Sequence, residues 1–75
     1  MQLDKLTAGQ KDFLDQYTRK CLAEWCAGAI QTDGFVPAAG NPQIVLQYAI
    51  TKKWLSQDYK ILSAGWDTAT RFLKR

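Results

Sequence analysis

Apolar residues recur at helical spacing along the first third of the chain: Phe13, Leu14, Tyr17, Cys21, Leu22, Trp25, Cys26, Ala29 and Ile30. Asp12, Gln16, Arg19, Lys20 and Glu24 fall on the other side. This spacing predicts one amphipathic helix over about 7–30. Thr7 followed by Gln10 has the pattern of a capping box, in which each side chain serves a backbone N–H of the other. Such a helix would be roughly 35 Å long at about 1.5 Å per residue, so the remaining elements must pack along it. Gly28 is a candidate early break.

Two glycines and a proline fall within residues 32–40, which rules out a long helix there. Phe35 and Val36 are apolar plugs for the core. A second helix is expected to open at Asn41-Pro42, with Asn as N-cap and Pro at the first helical position, and to run to about Lys53. Apolar residues cover most of its circumference. One polar stripe remains, Gln43, Gln47 and Thr51, at i, i+4 and i+8. Beyond it, two short apolar pieces flank Ser56-Gln57-Asp58 and read as a small β-hairpin with strands at about 54–55 and 59–62. Trp66, Ala69, Phe72 and Leu73 then give a final helix. Ser63 is its expected N-cap, with Arg71, Lys74 and Arg75 in the last turn, where the helix dipole favours cations.

The predicted fold is therefore mainly α with a small β-hairpin: long helix, loop, central helix, hairpin, C-terminal helix. With 75 residues, 47% of them hydrophobic and 23% charged, the chain is expected to form one soluble domain. Its longest uncharged stretch, Phe35 to Thr51, is interrupted by Asn, Gln, Pro and Gly, so no membrane span is expected. No signal-peptide pattern opens the chain, and a cytoplasmic location is expected.

Candidate chemistry is sparse. Histidine is absent, which removes the commonest general base and metal ligand. Cys21 and Cys26, five apart on one helix, diverge by roughly 140° and lie about 8 Å apart, too far for a disulfide. Two thiolates without histidine cannot complete a zinc site, and they read as buried thiols in a reducing compartment. No Gly-rich phosphate loop occurs, and the pair Asp12 and Asp15 reads as solvated. Neither a cofactor, a metal nor an enzymatic activity is expected.

Charge is distributed unevenly. Residues 1–51 carry a balance of −1, and residues 52–75 carry +4 through Lys52, Lys53, Lys60, Arg71, Lys74 and Arg75 against Asp58 and Asp67. A basic end beside a near-neutral body suits a polyanionic partner, although part of it only complements a helix terminus.

From Asn41 onward the chain resembles the second half of a winged-helix domain, as in small MarR-like and PadR-like bacterial or phage regulators. The resemblance rests on the run Gln43 to Leu55, followed by Tyr59-Lys60-Ile61-Leu62-Ser63-Ala64-Gly65-Trp66, then Ala69 and Phe72-Leu73, about the last 35 residues. It implies a winged-helix-like domain spanning 1–75 that regulates transcription. Helix 41–53 would lie in the major groove of double-stranded DNA, and hairpin 54–62 would serve as a short wing. Gln43, Gln47 and Thr51 would then face base edges. Lys52, Lys53 and Lys60 would contact phosphates, with Gln57 at the wing tip. Residues 31–40, in contrast, do not read as the second helix of a helix-turn-helix.

A polar stripe is also what the solvated side of a core helix looks like. The competing expectation is a small protein-binding module, such as a phage or mobile-element adaptor or inhibitor on the same scaffold. The wide apolar side of the first helix also suits a homodimer formed through it.

Overall fold

The computed structural model describes residues 5–74, the side chain of Ile30 excepted. The expected places of Ile30 on the apolar face and of Arg75 in the last helical turn lie outside what is described. Four helices follow in order: α1 (Ala8–Ala27), the single turn α2 (Ala29–Thr32), α3 (Gln43–Thr51) and α4 (Ser63–Leu73).

The predicted first helix is split. The capping box forms as its sequence requires: Thr7 accepts from the Gln10 N–H at 3.1 Å, and the Gln10 side chain accepts from the Thr7 N–H at 2.9 Å. Gly28 ends α1, and α2 is one further turn that closes at Asp33, in the left-handed region at φ 55°. The buried stripe of α1 is Leu14, Thr18 and Leu22 with Ala23, rotated away from the more obvious Phe13 and Tyr17. Phe13 is 72% exposed and Tyr17 44%, and their rings stack on each other at 6.3 Å. A β-branched side chain with a small hydroxyl fits the core at position 18, and that hydroxyl has no hydrogen-bond partner.

α1 packs against both α4 and α3. The core between them holds Leu22, Val36, Leu46, Ala49, Trp54, Leu55, Ile61 and Ala69. Gly65 lies in α4 where the helix crosses the backbone of Trp54. A Cβ there would fall well inside contact distance of the Trp54 carbonyl oxygen and 3.1 Å from the Ile61 methyl Cγ2.

The expected hairpin over 54–62 is not formed, and with it goes the wing of the winged-helix expectation. Among the described residues there is no strand and no sheet, only isolated antiparallel bridges at Leu55–Ile61 and Phe35–Lys60. The reason is visible in the hydrogen bonds. The Leu55–Ile61 bridge has its flanking bonds, Ser56 N–H to the Lys60 carbonyl at 2.8 Å and Leu62 N–H to the Trp54 carbonyl at 3.0 Å. A ladder would next use the Lys60 N–H, but that donor goes to the Ser56 hydroxyl at 3.1 Å. At the other end the Trp54 N–H is taken by the Ala49 carbonyl of α3 at 2.9 Å, and the Leu62 carbonyl accepts from Trp66 in α4. Each end of the would-be ladder is claimed by a turn or a helix cap, so pairing stops after one residue. The fold is a small three-helix protein, with α2 as an added turn.

Candidate nucleic-acid interface

α3 begins one residue later than its sequence suggests. Pro42 is extended, with ψ 136°, and stands at the cap position itself. Asn41 does not cap the helix. Its amide nitrogen donates to the Pro37 carbonyl at 2.6 Å, and its amide oxygen accepts from the Trp25 indole N–H at 3.3 Å. The segment before α3 is thereby pinned to α1.

Burial of Val45, Leu46 and Ala49 fixes how α3 is rotated. At about 100° per residue, the opposite edge is the line Gln43, Gln47 and Thr51, and all three are exposed. The Thr51 hydroxyl already donates to the Gln47 carbonyl at 2.9 Å, which leaves its oxygen lone pairs and methyl group outward. α3 spans nine residues, about 13 Å at the standard rise, comparable with the roughly 12 Å width of the major groove.

The lysines lie beyond the C-terminal end of α3. Lys52 is the C-cap, and its ammonium lies 6.0 Å from the Tyr48 ring centroid. Lys53 follows in the left-handed conformation at φ 67°. Its N–H bonds the Ile50 carbonyl at 3.0 Å while Trp54 N–H bonds Ala49. This is a Schellman closure with lysine at the position glycine usually takes. Lys60 sits on the bridge to Phe35, its ammonium 5.6 Å from that ring centroid. Gln57 is exposed in the turn after Ser56, in a loop rather than at the tip of a wing. All seven sequence-predicted residues are thus at the surface: three amide or hydroxyl side chains form one line on α3, and the others follow its end. No Asp or Glu occurs between Asp33 and Asp58, so α3 and the two lysines at its end carry no carboxylate of their own to repel phosphate, whereas exposed Asp58 lies between Gln57 and Lys60.

The inner flank of α3 is locked to α1 by a network that the sequence pattern did not reveal. Asp15 and Arg19 read as part of a solvated face. In the structure the Tyr48 hydroxyl donates to Asp15 Oδ1 at 2.7 Å, and Arg19 Nε donates to Asp15 Oδ2 at 2.8 Å. The Arg19 guanidinium lies 5.2 Å from the Trp54 ring, which meets Tyr48 edge-on at 5.9 Å. Desolvation pushes the Asp15 carboxyl up, but the hydrogen bonds from Tyr48 and Arg19, with the charges of Arg19 and Lys52, outweigh it and hold the pKa below the usual value. Desolvation and the bond to Asp15 push Tyr48 up to about 12. The signals available in sequence were the i,i+4 spacing of Asp15 and Arg19 and a tyrosine on an otherwise apolar helix.

Cys21 and Cys26 are free thiols, half-buried rather than buried, and desolvation pushes both up, so neither is activated. Among the described residues no helix is long and apolar enough to cross a membrane. Comparison of the chain with protein-family models, with curated proteins and with solved structures finds no match.

Proposed function

We propose that this protein is a small DNA-binding module, suited to regulating transcription, that presents the outer edge of α3 to the major groove and has no wing. The observation that carries this reading is the exposed line Gln43, Gln47 and Thr51 with three exposed lysines, Lys52, Lys53 and Lys60, beyond its end. Glutamine amides suit adenine edges, and threonine suits a polar edge or a thymine methyl. The lysines supply affinity through phosphates without reading sequence.

Salt dependence tests it. Three phosphate contacts give a slope of about −2.7 in log affinity against log salt, so a rise from about 50 to about 200 mM should weaken duplex binding about 40-fold. Changing any one lysine to alanine should reduce the slope by about 0.9. Fluorescence anisotropy with a labelled duplex measures both. An affinity that does not change with salt contradicts the reading.

A second reading has its own observation. The stacked, exposed pair Phe13 and Tyr17 on α1, with Leu73 68% exposed on α4, is apolar surface suited to a protein contact, including a second copy of this chain. Such a contact would be nearly indifferent to salt.

A further inference from the structure

Trp25 stands between two clefts on the side of α1 that faces residues 35–42. One, of about 220 Å³, lies between Trp25 and the pair Phe35 and Pro37, with Glu24, Gln31 and Thr32 on its rim. The other, of about 280 Å³, continues past Trp25 to Tyr17, Lys20 and Asn41. Each is smaller than the roughly 300–1,000 Å³ of a metabolite or drug site, so the first has room for one side chain rather than for a cofactor.

We propose that the cleft between Trp25 and Phe35 binds the guanidinium of an arginine side chain carried by an extended peptide. Its two aromatic walls present π faces and edges to whatever enters. Glu24, the carboxylate on its rim, has no ion-pair or hydrogen-bond partner among the described residues. A planar guanidinium stacks on an aromatic ring while its fork of N–H donors engages a carboxylate, a combination that an ammonium's point charge meets less well. The Phe35 ring already accepts a cation in this way, from Lys60 at 5.6 Å. The Trp25 wall is held in place before any ligand arrives: its indole is bonded to Asn41, and Asn41 to the Pro37 carbonyl on the opposite side, while the backbone of Phe35 is tied to the Thr32 carbonyl at 3.1 Å. Such preorganisation lowers the ordering cost of binding. The cleft beyond Trp25 gives the residue next to the arginine a place to lie, which favours a peptide over a free amino acid.

This site does not depend on the DNA reading, and Lys60 separates the two. Replacing Lys60 with alanine removes a phosphate contact, which weakens DNA binding. The same change removes a positive charge that lies 5.6 Å from the Phe35 ring and repels an incoming guanidinium, which tightens the guanidinium site.

The experiment is a ¹⁵N NMR titration that follows the Trp25 indole N–H, assigned by its loss in Trp25→Phe. The probes are acetyl-arginine amide, its neutral isostere acetyl-citrulline amide, and a blocked alanine peptide with one central arginine. Arginine amide should shift the Trp25 signal with millimolar affinity, the peptide should bind more tightly, and citrulline should not bind. Glu24→Gln, at an exposed position of α1, should weaken arginine binding about fivefold, and Lys60→Ala should strengthen it. Equal binding of citrulline and arginine, unchanged affinity in Glu24→Gln, or no shift at Trp25 with any probe would overturn the assignment. So would a nucleoside that shifts Trp25 where arginine does not.

Discussion

Lys53 holds a left-handed backbone at φ 67°, which costs an L residue about 1–2 kcal/mol relative to its ordinary conformations. Glycine would meet the same Schellman geometry without that steric cost, at the expense of a more flexible unfolded chain. Lys53→Gly should therefore stabilise the protein by about 0.5–1 kcal/mol in urea melts. The same substitution should weaken DNA binding and lower its salt slope. A loss of stability in the variant would contradict this account of its backbone. Thr18 illustrates the limit of reading single residues. Its polarity marks it for the surface, yet its side chain is fully buried, because position 18 lies between Leu14 and Leu22 on the stripe that α4 and α3 cover.

At the scale of elements, helix positions were legible to within a residue or two, although α3 is capped at Pro42 rather than Asn41 and α4 at Leu62 rather than Ser63, and strand pairing was not legible. The capping box at Thr7 and Gln10, the break at Gly28 and the polar line on α3 all follow from spacing and backbone chemistry, and each is present. The hairpin over 54–62 failed for reasons outside any local pattern. Its donors and acceptors are claimed by the end of α3, by the start of α4 and by the Ser56 hydroxyl. Apolar alternation over so few residues cannot report where those backbone groups will go. The network of Asp15, Arg19 and Tyr48 was hidden for a similar reason: its members are 33 residues apart in sequence at the widest and meet only once α3 lies on α1. Gly65 marks the crossing of α4 over Trp54, where any Cβ meets backbone that cannot move aside. Gly65→Ala should destabilise by about 1–3 kcal/mol despite alanine's better helix propensity, as measured by thermal or urea unfolding. A stabilised variant would mean that α4 sits farther from Trp54.

For the whole molecule, the contact between α1 and α3 makes stability depend on pH at both extremes. Asp15 has a folded pKa below its ordinary value of 3.8, so the stability it contributes is present above that value and is lost as pH falls through the lower, folded one. Tyr48 is raised from 10.0 to about 12, so its contribution is complete below pH 10.0 and disappears as pH rises toward 12. Tyr48→Phe removes the donor that helps hold Asp15 down. The variant should lose about 1–2 kcal/mol at neutral pH, and its acid loss of stability should move to higher pH. Urea melts across the acid range check this, and an unmoved acid limb would contradict it. With its inner flank fixed in this way, α3 offers its outer edge as a rigid line. Backbone amide NMR of the protein titrated with a random DNA duplex at low salt tests that role most directly. The expected shifts cluster at Gln43, Gln47, Thr51, Lys52, Lys53 and Lys60 and fade as salt is raised; shifts confined to Phe13, Tyr17 and their neighbours on α1, or none at all, would contradict it.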